Sequence, residues 1–312
     1  MLQLHGVKPI RRLYWRIGIS MKNGLFSEKN FRQILENQGE EYYSASKESG
    51  SNEGMRKLKE YAKNAKNILE CGCGSGRSIG FIWHKNAFIT GIDLFEYTLK
   101  KAKTDFKNKK NVSFKLGNIE NLPFANESYD LVYSTYTMEH VLNPEKAIDE
   151  MIRVVKKGGY IIVIAPNYGS PIEFSPCFPM IGYKPITHAL KLFFLSHYYL
   201  IIPPRKLHWT KVYPLILETK SYSTDNDTTV EPYVQTLITY LKQRGIKLIE
   251  YSSGLDWKGD NEEKQMNNDK LPLSFKISGG LKKLVKDLGK KGIAPYKYYG
   301  GTLFLVGKKQ EK

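Results

Sequence analysis

The stretch Ile68-Leu69-Glu70-Cys71-Gly72-Cys73-Gly74-Ser75-Gly76 constrains this chain more than any other. An apolar run that ends in three glycines at alternate positions reads as a buried strand turning into a helix, where missing Cβ atoms let a ligand approach the backbone. The spacing is G-x-G-x-G. A dinucleotide fingerprint needs a third glycine one position later, and that position holds Arg77. Glu70 points the same way: a carboxylate two residues before the first glycine opposes a pyrophosphate and suits a ligand carrying an ammonium and a sulfonium.

A regular alternation surrounds this turn. The pattern predicts a helix over 55–65, a strand over 67–71, a helix over 75–83, a strand over 87–92, a lysine-faced helix over 95–107, and strands over 112–116 and 129–134. Asn143-Pro144-Glu145 reads as a helix start with Asn143 as N-cap, and Lys156-Lys157-Gly158-Gly159 as that helix's end. The continuous apolar run over 160–165 fits a strand buried on both faces. The alternation breaks at Pro166, resumes at Glu231-Pro232 as a second helix start, and closes with strands over 246–251 and 302–306. Strands and helices joined by short connections make an α/β, doubly wound, mostly parallel sheet. Residues 1–54 and 169–228 stand outside the pattern and read as a helical N-terminal cap and an inserted substrate lid, leaving 55–168 and 229–312 as the core. A third irregular piece, 252–300, separates the last two strands.

Candidate site residues follow the strand ends, where ligands bind in such sheets. Asp93 tips the second strand, 17 residues after Gly76, where an acid can accept both ribose hydroxyls. Asn118 and Ile119 follow the third strand, one to read an adenine edge and the other to pack on its ring. Ser134 and Thr135 end the fourth, and Tyr136 follows. Beyond them His140 is the candidate base or acceptor-positioning residue, ahead of Glu139, Tyr136 and His208.

From Ile68 to Ala165 these motifs, in this order, resemble the core of class I S-adenosylmethionine-dependent methyltransferases of the type 11 group. The resemblance implies a Rossmann-like methyltransferase fold, a seven-stranded sheet ordered 3-2-1-4-5-7-6 with the last strand antiparallel. It also implies S-adenosyl-L-methionine as cofactor, with contacts from Glu70, Gly72, Gly74, Asp93, Leu94, Asn118 and Ile119; Cys73, Gly76, Ser134 and Thr135 complete the expected set. Glu70 and Asn118 depart from the family, standing where aspartate is commoner.

Composition narrows the partners. Three cysteines, Cys71, Cys73 and Cys177, suit neither a disulfide framework nor a zinc site, so no metal is expected and the chain reads as a reduced, cytoplasmic protein. No apolar run near the N-terminus is long enough for a signal peptide. A net charge of +17 favours polyanions, although Lys100, Lys101, Lys103, Lys107, Lys109 and Lys110 fall on one solvated helix face. The aromatic, apolar segment 185–203 is too short to span a membrane. It is expected to line the acceptor pocket as a lid helix, and to touch an anionic membrane with help from Arg11, Arg12, Arg16, Lys282, Lys283 and Lys286. Phe174, Phe178, Tyr183, Phe193, Phe194, Tyr198, Tyr199, Trp209 and Tyr213 make the lid suited to an apolar or ring-shaped acceptor. No Asn/Asp-Pro-Pro-Tyr/Phe follows the fourth strand, which argues against exocyclic base amines, and Pro176-Cys177 follows the fifth strand rather than the fourth. The expected activity is methylation of a small molecule, on a hydroxyl of a carbohydrate, lipid-linked or apolar ring acceptor. An RNA methyltransferase and a non-catalytic cofactor-binding partner subunit remain the alternatives.

Overall fold

A computed structural model describes residues 28–48, 52–178, 185–255 and 283–311. Among them a seven-stranded sheet forms the centre: β1 (Asn67–Cys71), β2 (Phe88–Asp93), β3 (Val112–Leu116), β4 (Tyr129–Thr135), β5 (Val155–Pro166), β8 (Ile246–Ser252) and β9 (Thr302–Lys309). Their order is β3-β2-β1-β4-β5-β9-β8. The first five run parallel and β9 pairs antiparallel with both β5 and β8. This is the expected topology, with β8 and β9 as its sixth and seventh strands.

Sequence alternation explains why the sheet is covered on both sides. Ile161, Val163, Ala165, Leu303 and Leu305 enter one apolar cluster, whereas Ile162, Ile164, Phe304 and Val306 enter the other. Successive side chains on a strand point to opposite faces, so a continuous apolar run needs two covering layers. One layer is supplied by α6 (Pro144–Val154) and α9 (Val234–Lys242), and the other by α3 (Glu53–Ala62) and α4 (Arg77–Ile82). Ala147, Ile148, Met151 and Val154 of α6 are buried at helical spacing, which fixes its inward face. α5 (Glu96–Asp105) lies against the edge strand β3.

Asn143 is the N-cap of α6, with Pro144 and Glu145 in its first turn, as expected; its side chain makes no cap bond and instead donates through Nδ2 to Glu120 Oε2 at 2.7 Å, while its backbone N–H goes to Glu120 Oε1 at 2.9 Å. Two expectations are corrected. The helix end at 156–159 is instead the start of β5, which leaves α6 directly at Val155; Gly158 adopts a φ of 75°, close to a shift in the β4–β5 register. Glu231 does not open a helix. It sits in the short strand β7 (Val230–Glu231), paired with β6 (Thr210–Lys211), and its buried carboxylate accepts from Ser175 Oγ at 3.0 Å and faces His188 Nε2 at 3.2 Å. α9 begins three residues later, at Val234.

The cap is helical in its described part, α1 (Glu28–Asn37) and α2 (Gly39–Glu48), and Phe31 and Leu35 of α1 pack on Ile216 and Leu217 of α8 (Ile216–Thr219). Cap and inserted segment therefore meet above the carboxyl ends of the strands. Within 252–300, residues 283–290 are helical and Tyr296–Tyr298 forms a 3-10 turn. The residues 256–282, Arg11, Arg12, Arg16, Lys282 and Tyr183 lie outside the described residues.

Candidate active site

Gly72, Gly74 and Gly76 all adopt positive φ, at 77°, 47° and 75°. L-residues with a Cβ rarely enter that region, so the loop leaving β1 needs glycine at each alternate position. At Gly72 the demand is doubled: a Cβ there would lie 2.1 Å from Thr137 Cγ2, because the loop packs on the chain leaving β4. Gly72 and Cys73 donate their N–H groups to Ile92 O at 2.8 and 3.0 Å, tying the loop to β2. Asp93, at the tip of β2, closes it. Its Oδ2 accepts from Gly74 N at 2.8 Å and its Oδ1 from Phe95 N, ahead of α5, at 3.0 Å. Asp93 thus holds loop and helix start together, and each carboxylate oxygen keeps a further lone pair for a ligand hydroxyl. Burial raises its pKa, opposed by the backbone N–H groups of Phe95, Gly74 and Leu94.

Glu70 lies within β1, 1% exposed, so its charge is desolvated. Three hydroxyls converge on it: Ser78 from α4, with Thr135 at 3.0 Å and Tyr133 at 3.2 Å from β4. Burial outweighs these donors and pushes the carboxyl up to about 8. Among the described residues no basic group pairs with it.

Two cavities share this loop. The smaller is bounded by Gly72, Asp93, Leu94, Asn118, Ile119 and Glu120 from the strand ends and by Phe31, Arg32, Leu35 and Tyr42 from the cap helices. Asn118 Oδ1 already accepts from Glu120 N at 2.8 Å, so its amide Nδ2 and the remaining carbonyl lone pair are what it offers a ligand. The larger, about 700 Å³, holds Glu70, Cys73, Gly74, Ser75, Arg77 and Thr135 at one end and opens among Tyr42, Asn52, Tyr136, Tyr168, Tyr222 and Asp225.

His140 borders both cavities. It ends the 3-10 turn Met138–His140 after β4. Its Nδ1 faces Asp227 Oδ2 at 3.3 Å and its Nε2 faces Glu139 Oε1 at 3.7 Å. Burial lowers its pKa, but the carboxylates of Asp227, Glu139 and Asp225 outweigh that and hold it at about 9. With a carboxylate against each ring nitrogen, His140 is built to hold a position rather than to accept a proton.

Ten of the expected site residues, Glu70, Gly72, Cys73, Gly74, Asp93, Leu94, Asn118, Ile119, Thr135 and His140, therefore line these two cavities, which share Tyr42, Gly72 and His140 as walls. Gly76 and Ser134 do not line them: Gly76 precedes α4 as its N-cap, and Ser134 is fully buried within β4. Tyr136 lines the larger cavity, whereas His208 is exposed and stacks on Tyr199. The lid expectation is corrected most. α7 (Pro185–Ile201) contributes no residue to either cavity. It packs through His188, Leu192, Ser196 and Tyr199, with Ser196 bonded to Tyr299. Phe174 and Phe178 stack with His188, Trp209 joins the main core, and Tyr213 packs beside the α1–α8 cluster. The aromatic wall is made instead by Tyr42, Tyr136, Tyr168 and Tyr222, of which sequence reasoning had singled out only Tyr136. Asp225 and Asp227 were missed as well, carrying no motif.

Residues 69–163 match the family model described as a methyltransferase domain. The chain is similar to an uncharacterized methyltransferase of Schizosaccharomyces pombe, 35% identical over 32% of this chain and 40% of that protein. It is similar to a ubiquinone/menaquinone biosynthesis C-methyltransferase of Campylobacter jejuni, 32% identical over 35% of this chain and 48% of that one. A norajmaline N-methyltransferase of Rauvolfia serpentina is 34% identical over 33% of this chain and 37% of its own length. The chain thus spans less than half the length of these relatives, and their names differ in the atom methylated. What the comparisons have in common is residues 69–163, which match the type 11 methyltransferase domain model.

Proposed function

We propose that this protein is an S-adenosylmethionine-dependent methyltransferase whose acceptor is a small molecule, methylated on a hydroxyl of a carbohydrate, lipid-linked or apolar ring compound. One observation carries the reading: two neighbouring cavities share the glycine loop and His140, one holding Asp93 and the other holding Glu70 and four tyrosines. The residues fit the cofactor. Among the described residues Glu70 is a buried carboxyl without a cation, Ser75 Oγ is buried in the glycine loop with no hydrogen-bond partner, and the loop has no Cβ at its alternate positions. When bound, S-adenosylmethionine supplies a methyl group on a positively charged sulfur, open to in-line displacement.

The chain's own residues bind, orient and exclude water. Asp93, which keeps Gly74 and Phe95 in place, would take the ribose hydroxyls. Ile119 and Leu94, with Phe31 and Leu35 of α1 on the same cavity, would hold the base. Glu70 would attract the ammonium, and Arg77, at the start of α4 in the same cavity, would pair with the carboxylate. Tyr42, Tyr136, Tyr168 and Tyr222 line the chamber and supply aromatic surface suited to an apolar or sugar acceptor. His140, held by Asp227, sets the accepting atom against the methyl group; in such a displacement placement is most of the catalysis.

The acceptor's setting follows from α7. Ile186, Leu190, Phe194, Tyr198 and Ile201 are exposed at about one-turn spacing, and the exposed Arg205 and Lys206 follow the helix. An apolar stripe ending in basic charge matches an anionic lipid surface. No helix among the described residues is long and apolar enough to cross a membrane. Incubating the protein with methyl-labelled cofactor and fractionated cell extract tests the reading: label should pass to a small-molecule fraction, and transfer confined to RNA would overturn the acceptor class.

A further inference from the structure

Beside the two cavities, acid side chains outnumber the one base that they surround. Glu139, Asp225 and Asp227 bring three carboxylates to one imidazole, that of His140. Glu139 has no exposed surface, and neither of its oxygens has a hydrogen-bond partner. Asp227 is 1% exposed and its Oδ1 is equally without one. Among the described residues, His140 is the only cation within ion-pair distance of Glu139 or Asp227. Buried carboxylates are retained where they are paired or coordinate a metal.

The geometry favours coordination. One ligand atom each from Glu139, His140 and Asp225 fall within 4.8 Å of one another. Three donors about 2.1–2.3 Å from one ion lie about 3–4.5 Å from one another, so the three side chains draw in as an ion binds. The two segments that carry them are fastened together. Thr229 donates its N–H to Glu139 O at 2.8 Å and its hydroxyl to Val141 O at 3.0 Å. Tyr168 donates its hydroxyl to Asp225.

We propose that Glu139, His140 and Asp225 form a divalent-cation site, and that a hydroxyl oxygen of the acceptor completes the coordination. Two carboxylates and one imidazole, which releases its proton to solvent as the ion takes its place, suit a hard or borderline ion such as Mn²⁺ or Mg²⁺. Three protein ligands leave positions open, and both His140 and Asp225 border the tyrosine-lined chamber. The second half rests on the methyltransferase reading; the first does not. It deepens that reading by selecting acceptors that present an oxygen donor, vicinal diols above all, and it makes His140 a ligand instead of a base.

The test is titration of the chelator-treated full chain with MnCl₂, following free Mn²⁺ by electron paramagnetic resonance. One Mn²⁺ should bind per chain, displaced by Mg²⁺, and Glu139→Gln and Asp225→Asn should each weaken binding by at least about 10-fold. A rise in the wild-type melting temperature with Mn²⁺ over chelator supports the site without relying on the variants. No Mn²⁺ bound by the wild type, or equal binding by both variants and the wild type, overturns it. Calorimetry of S-adenosylmethionine in chelator separates the two readings. Cofactor binding without Mn²⁺ binding removes the cation site alone, whereas Mn²⁺ binding without cofactor binding keeps the site and removes the methyltransferase reading.

Discussion

Glu70 couples cofactor binding to pH. Its carboxyl is fully buried and sits at about 8 although Ser78, Thr135 and Tyr133 donate to it. In the free protein at pH 7 it is therefore about nine-tenths protonated. The cofactor's ammonium favours the ionised form, so binding should expel about 0.9 proton at pH 7. Affinity should then rise about 50-fold from pH 6 to pH 8 and flatten above, because the protonated fraction falls from about 0.99 to about 0.5. The apoprotein responds oppositely. A folded pKa raised above the ordinary carboxylate value means the native state holds the proton longer, so Glu70's stabilising contribution is complete below about 4.5 and is lost as pH rises towards 8. By pH 7 that loss is of order 3 kcal/mol. Glu70→Gln keeps an amide oxygen for the hydroxyls and removes the charge. It should flatten both pH dependences, melt higher than the wild type at pH 8 without cofactor, and bind cofactor about 10- to 150-fold more weakly there. Calorimetry in two buffers of different ionisation enthalpy counts the proton. An affinity that is flat from pH 6 to 8 with no proton released would refute the argument.

Three further outcomes are expected. Asp93→Ala should lower cofactor affinity by about 10- to 150-fold, through lost charge-assisted hydrogen bonds and a loosened Gly74; calorimetry showing unchanged affinity removes the ribose assignment. His140→Ala should slow label transfer by about 10²-fold with cofactor affinity nearly intact, as loss of acceptor placement requires, and wild-type transfer returns His140 to a structural role. Flotation with anionic liposomes should carry the wild type, and Phe194→Ser with Ile201→Ser, both on the exposed face of α7, should abolish it; loss of binding to raised salt alone, with the double variant floating normally, leaves only charge.

Legibility tracks how local the cause is. The glycine loop and the acids at Glu70 and Asp93 could be read because chirality and strand periodicity act within a few residues. The sheet order came instead with the resemblance to class I methyltransferases, whereas the burial of both sheet faces is written in alternate residues of β5 and β9. Glu231 was misread because its partner, His188, is distant in the chain. Within the inserted segment, the helix was misplaced for another reason. α7 is apolar nearly all round, so its composition does not say which face meets the core, and Phe193, Leu192 and Tyr199 turn away from the cleft. The tyrosines that do face it come singly from segments far apart: Tyr42, Tyr136, Tyr168 and Tyr222. Asp225 and Asp227 acquire meaning only once Thr229 brings them to Glu139 and His140.

The central claim is tested most directly by isothermal titration of the purified full-length protein with S-adenosylmethionine, its demethylated product and NAD. One equivalent each of the first two should bind, and NAD should give no heat, because Glu70 stands where a pyrophosphate would lie. Binding of NAD, or of none of the three, would contradict the account.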